Sequence, residues 1–246
     1  MFNMETAKAM QIPKPLLFII VLLTLFYSCQ EDDPFSGDSG TFKDKRDGQV
    51  YKWVRIGDQV WMAENLAYIP YVCPADSQCG IWVNGYQDTK IGRALATANY
   101  QAYGCLYDWE TAMGSCPKGW HLPSDEEWME LELFLGMTPG ELDEETWRGY
   151  INNVDGKLKE TGTSHWISTN SNVTNESGFT ALPGGIREYH ESPPSSFSIT
   201  GTSGSFWTAT EENNYAFGRM LSVYPYGVYR HLRNKKNGLS IRCVKD

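Results

Sequence analysis

The run Cys116-Pro117-Lys118-Gly119-Trp120-His121-Leu122-Pro123-Ser124-Asp125-Glu126-Glu127-Trp128 constrains this chain more than any other stretch. It reads as a short buried strand, a sharp corner and the first turn of a helix. Ser124 and Glu127 form a capping box, in which the hydroxyl and the carboxylate each satisfy a free backbone amide at the helix start. Asp125 and Glu126 add negative charge where the helix dipole is positive. Trp128, Leu131 and Leu135 recur at helical spacing as one apolar stripe, and Gly136 closes the helix.

At 246 residues the chain has room for one large domain or two small ones. Aromatic residues make up 13%, with nine Trp and fourteen Tyr, which is more aromatic surface than a core needs. The formal net charge of −9 argues against nucleic acid as a partner, because phosphate binding needs a basic face. Residues 1–28 read as a targeting segment. Lys8 and Lys14 precede the apolar run Leu16–Phe26, which is too short for a comfortable membrane span and fits a secretory signal. It ends at Ser28-Cys29, as in bacterial lipoprotein signals, where the cysteine is diacylated and becomes the first mature residue. The bulky Phe26 and Tyr27 depart from that pattern, and an ordinary cleaved signal is the alternative. Gln30-Glu31-Asp32-Asp33 resembles the surface-export signal of Bacteroidetes-type lipoproteins, which implies an outer-membrane lipoprotein displayed on the cell surface. Residues 29–40, rich in Asp, Ser, Gly and Pro, read as a flexible acidic tether.

The folded domain is expected over 41–246. Gln49–Ile56 and Gln59–Ala63 alternate as two strands joined across Gly57-Asp58, a hairpin turn. Residues 67–102 are weakly periodic and read as loop-rich. Within them Cys73 and Cys79 bracket a short loop and are expected to form a disulfide in a secreted protein. A short helix follows Asp108-Trp109, and another is expected over Leu142–Tyr150 with Asp143 as its cap. Residues 155–205 read as long loops with short strands. Further strands are expected at 204–210, 216–223, 227–232 and 239–244, with turns at Asn213-Asn214, Pro225 and Asn237-Gly238.

Four landmarks together resemble the Fibrobacter succinogenes major paralogous domain family. They are Gln59-Val60-Trp61-Met62-Ala63-Glu64-Asn65-Leu66, Tyr103-Gly104-x-Leu106-Tyr107-x-Trp109, the Cys116–Pro123 corner with its capped helix, and Leu239–Asp246. The family looks similar to formylglycine-generating enzymes and C-type lectins. The resemblance implies an α+β, C-type-lectin-like domain with a twisted, mostly antiparallel sheet, two main helices and long loops. It also brings the last strand beside the Trp-His corner and so pairs Cys116 with Cys243, leaving Cys105 over. In the chain-entropy model so long a loop removes on the order of 4–5 kcal/mol of unfolded-state freedom. The rival pairing is Cys105 with Cys116, leaving Cys243 free.

An enzymatic reading finds no set of residues to carry it. Cys105 is the one spare thiol, whereas a formylglycine-type oxidase uses paired reactive cysteines with copper. His121, His165, His190 and His231 lack ligand spacing, and no phosphate loop, nucleophile elbow or HExxH motif occurs. No cofactor or metal is expected. Asn170, Asn172, Asn175 and Glu176 could group oxygens for calcium, but the Glu-Pro-Asn and Trp-Asn-Asp signatures of sugar-binding lectins are absent.

The segment Asn213–Lys236 is more suggestive. It interleaves Tyr215, Phe217, Tyr224, Tyr226 and Tyr229 with Arg219, Arg230, His231, Arg233, Lys235 and Lys236, and it carries no acidic residue. Rigid aromatic area costs little entropy on association, and Arg forks recognise anions. Tyr215, Arg219, Tyr224, Tyr226, Tyr229, Arg230 and His231 are the candidate binding residues. Of these the five aromatic rings and Arg230 are expected to face water. Strand alternation sends about half of the segment inward, so a basic solvated sheet with core tyrosines is the competing reading. The expectation is a non-enzymatic module binding a glycan or protein ligand. A structural or tip subunit of a surface assembly is the alternative, and an oxidase the second alternative.

Overall fold

The Gly57-Asp58 turn produces the expected hairpin, with Gly57 at φ 60° where a β-carbon would be strained. The computed structural model describes residues 35–168, 172–192 and 194–246. Cys29, the signal segment and the acidic run 30–33 lie outside the described residues. The first strands are β1 (Ser39–Lys43), β2 (Val50–Ile56), β3 (Gln59–Met62) and β4 (Ile81–Trp82). Two short helices follow, α1 (Ile91–Leu95) and α2 (Ala98–Tyr103). Then come β5 (Leu106–Tyr107), α3 (Trp109–Met113), β6 (Trp120–His121) and α4 (Asp125–Phe134). Next are β7 (Trp147–Arg148), α5 (Val154–Leu158), β8 (Ile186–Glu188) and β9 (Ser196–Ser198). The chain closes with β10 (Ser203–Glu212), β11 (Tyr215–Ser222), β12 (Val228–Asn234) and β13 (Val244–Lys245).

These elements make an α+β domain with antiparallel strand pairing throughout its sheets. A five-stranded sheet runs β1-β2-β3-β13-β6, and a four-stranded sheet runs β10-β11-β12-β7. β1 begins at Ser39, two residues before the expected start, because Ser39 and Gly40 already pair with Val54 and Trp53. Phe35 extends this start, its ring lying 5.2 Å from Trp53 and 5.5 Å from Trp120.

Alternation along β2 and β3 sends Tyr51, Trp53, Val60 and Met62 into one apolar core, and Ile56 and Trp61 into a second. The five-stranded sheet is therefore packed on both faces. In the second core Trp61 lies 5.0 Å from Trp128 of α4 and 5.8 Å from Phe179. The capping box on α4 forms as expected, with Gly136 at φ 103° after its end.

The expected helix over Leu142–Tyr150 does not form. Trp147 and Arg148 instead pair with Tyr229 and Val228 as an outer strand, and Gly149 turns the chain at φ 71°. The expected strand at 239–244 shrinks to β13. Its earlier part bridges singly to Tyr107 and Phe206, threading between the two sheets before Val244 joins Trp61 and His121. Only α4 reaches ten residues among the described helices, so the expectation of two main helices gives way to one and several single turns. No helix among the described residues is long and apolar enough to cross a membrane.

Both expected disulfides are formed, Cys73–Cys79 and Cys116–Cys243, the latter with its Cα atoms 6.0 Å apart. Cys105 is free and buried.

Candidate functional site

A row of stacked rings at the β7–β12 edge and a trough beside β1 are the candidate ligand sites among the described residues. The row is built from the turn Tyr224-Pro225-Tyr226-Gly227. Tyr226 donates its backbone N–H to the Tyr224 carbonyl at 2.9 Å, a three-residue turn for which the fixed φ of Pro225 is suited. The turn stacks the Tyr224 and Tyr226 rings 5.5 Å apart. Gly227, at φ 91°, then presses its α-carbon against the Arg148 carbonyl, where a β-carbon has no room. That approach holds the turn against β7 and brings Tyr226 edge-on to Trp147 at 5.6 Å. Trp147 stacks on its cross-strand partner Tyr229 at 5.0 Å, and Tyr229 stacks on His231, two residues along β12, at 4.5 Å.

Tyr224, Pro225 and Tyr226 are exposed, Trp147 and Tyr229 are half-buried and His231 is buried. Tyr150, also exposed, follows on the Gly149 turn beside Gly227. The result is a graded platform of uncharged rings, open at Tyr224 and sealed at His231. Burial, together with the Arg233 charge, pushes the His231 imidazole down to about 3, so it is neutral across the ordinary pH range.

The expected arginines are not part of this face. Arg219 and Arg230 sit opposite one another across β11 and β12, and both point to the other side of the sheet, towards α4. Arg230 grips Asp125 through Nε and Nη2 at 3.0 and 2.7 Å. Arg219 bridges Asp125 and Glu132 at 2.5 and 2.6 Å, and Arg148 takes both oxygens of Glu132 at 3.0 and 2.9 Å. All five side chains are buried. Burial alone would raise the Asp125 carboxyl, but Arg230 and Arg219 outweigh it and hold it below the usual carboxylate range.

Arg219 and Arg230 are thus corrected from ligand contacts to a buried ionic cluster welding α4 to the four-stranded sheet. His231 is corrected from an exposed to a buried ring. The signal for this lay on α4, where Asp125, Trp128, Glu132 and Leu135 repeat on one face. Two carboxylates on an apolar stripe require buried cations. Tyr215 is exposed but lies at the far end of β11, opposite Asn234. It is five residues, or about 17 Å, from the Met220 position that pairs with Tyr229, so it does not join the row. Trp147, which does, was hidden inside the expected helix.

The trough, about 850 Å³, has Ser39, Thr41, Lys52 and Val54 along one side and Glu160, His165, Glu176 and Ser177 along the other. Its charged and polar groups mostly have partners. Lys52 pairs with Glu64, His165 with Glu160 at 2.9 Å, and Glu176 with Lys157. The oxygens proposed for calcium are also engaged. Asn175 closes its own loop by bonding both the backbone and the hydroxyl of Thr180, and the Asn172 carbonyl accepts from Asn153. Asn170 lies outside the described residues. Among the described residues, no group of three or more His, Cys, Asp or Glu is placed to hold a metal ion. Burial drives the Cys105 thiol well above its ordinary value.

The model of the Fibrobacter succinogenes major domain matches residues 54–245. The chain belongs to this family. The match takes in β3, the Trp-His corner, α4 and every strand of the four-stranded sheet, so the aromatic row stands on the family domain itself. No curated protein and no solved structure matches the chain.

Proposed function

We propose that this Fibrobacter succinogenes major domain is a non-enzymatic binding module that takes a glycan on the Trp147–Tyr224–Tyr226–Tyr229 row. In this reading it is carried to the outer face of the outer membrane as a lipoprotein anchored through Cys29. The finer likeness to the C-type-lectin and formylglycine-generating folds belongs to the same proposal.

The supporting observation is the contiguous row of rings, exposed at Tyr224 and Tyr226 and half-buried at Trp147 and Tyr229. Pyranose rings present a flat C–H face that packs on the electron-rich face of an aromatic ring. The hydroxyls of Tyr224 and Tyr226 add donors and acceptors for the sugar rim. The rings hold one another in place, so little side-chain freedom remains to be lost on binding. Against oxidase chemistry, the one free thiol among the described residues is sealed and protonated. A subunit role in a surface assembly rests on β1, the outer strand of its sheet, where neither backbone group of Ser39 or Thr41 has a partner on the free side among the described residues.

A glycan array probed with the full chain and with Tyr224→Ala/Tyr226→Ala tests the proposal. The native protein is expected to mark a defined set of saccharides and the double variant to lose them. An identical pattern from both proteins would refute the role of the row.

A further inference from the structure

We infer that the row is selective for uncharged saccharide chains and discriminates against anionic polymers such as uronates and sulfated glycans. The inference rests on the glycan reading above and narrows it to one ligand class.

The argument is one of charge placement. Seen as a sequence, the segment 213–236 looks basic, as a receptor for acidic polymers should. In the folded chain three of the nearby arginines are withdrawn to the opposite face of the sheet. Arg148 and Arg230 alternate with Trp147 and Tyr229 along β7 and β12, and Arg219 is the cross-strand partner of Arg230, so all three face α4 and are held by Asp125 and Glu132. Arg233 shares the face of Tyr229 and His231, but it lies half-buried at the sealed end of the row, where its Nε–H donates to His231 Nε2. Lys235 pairs with Glu211 and covers the Trp109 ring, while Lys236 lies over Tyr189. Both lysines follow the far end of β12, six and seven residues beyond Tyr229, or roughly 20 Å.

The exposed end of the row, Tyr224-Pro225-Tyr226, presents ring faces and phenol hydroxyls. Trp147 and Tyr229 continue it, half-buried. Asp143, Glu144 and Glu145 are exposed on the segment leading directly into Trp147. An anionic chain laid over the exposed end of the row, at Tyr224 and Tyr226, finds none of these guanidinium or ammonium groups beside it to offset its desolvation. A neutral sugar meets ring faces and phenol hydroxyls and needs no such group.

The test is titration of the full chain in detergent with soluble polymers of both classes, for example mannan and β-glucan against polygalacturonate and heparin, over a salt series. The same series is run with Trp147→Ala/Tyr226→Ala, after circular dichroism and thermal melting confirm that the variant is folded. The expected result is binding to at least one neutral polymer, changed by less than about twofold between low and high salt because no ion pair is screened, and lost in the variant. Binding of the anionic polymers through the row, weakened by salt and lost in the variant, would overturn the selectivity while leaving the glycan reading standing. Binding of neither class, or binding that the variant retains, would overturn both.

Discussion

Trp147 and Tyr229 stack 5.0 Å apart as directly paired residues of adjacent strands. Their neighbours in the same two strands, Arg148 and Arg230, point the opposite way into a buried ionic cluster. One register thus sets both the ligand face and its anchorage, and a slip of one residue would exchange rings for guanidinium groups.

The exposed rings should affect binding more than folding. Tyr226→Ala is expected to weaken glycan binding by roughly two- to tenfold, the loss of one aromatic contact of about 0.5–1.5 kcal/mol. Its denaturation midpoint should stay close to that of the native protein. Parallel titration and urea unfolding check both.

The ionic cluster should behave in the opposite manner. Glu132→Gln leaves Arg148 without a charged partner and Arg219 with Asp125 alone at a fully buried site, and a loss of about 3–5 kcal/mol is expected. Chemical denaturation of the variant measures it, and binding by the fraction still folded should persist.

Much of the frame is legible from the residues. The hairpin at Gly57-Asp58, the capped α4 and both disulfides follow from turn chemistry, capping and the family landmarks. The face of β12 is not, because Tyr229-Arg230-His231 mixes polar and aromatic residues on both sides and hydrophobic alternation cannot orient it. Asp125 and Glu132 on the stripe of α4 decide the matter, since each can be buried only with a cation. Trp147 was concealed for a related reason: its strand is two residues long, too short to show a period.

The two disulfides should differ in worth. Cys116–Cys243 spans 127 residues and Cys73–Cys79 spans six. Chain entropy then assigns about 5 kcal/mol to the first and about 2 kcal/mol to the second. Paired Cys→Ala variants, compared by denaturant midpoint, should show the larger loss for the long loop. Cys105 should react with a thiol reagent only after unfolding.

Two histidines should shape stability against pH in opposite senses. His121 Nδ1 faces Asp246 at 2.7 Å and its Nε2 faces Glu127 at 2.8 Å. Burial would lower its pKa, but these two hydrogen bonds outweigh burial and raise it above 6.5. Its contribution is therefore complete below the unfolded value of about 6.5 and is lost as pH rises through the higher folded value. His231, lowered to about 3 in the fold, stabilises above the unfolded value and costs stability as pH falls from about 6.5 towards 3. Melting temperatures of His121→Gln should lose the alkaline slope, and those of His231→Gln the acid one.

The most direct measurement of the central claim is an NMR titration of the protein with a neutral oligosaccharide, following the side-chain resonances of Trp147, Tyr224, Tyr226 and Tyr229. The account predicts saturable shifts centred on those four rings, with little change at Glu160 and His165 in the trough. Shifts gathered in the trough with the rings unmoved would contradict it.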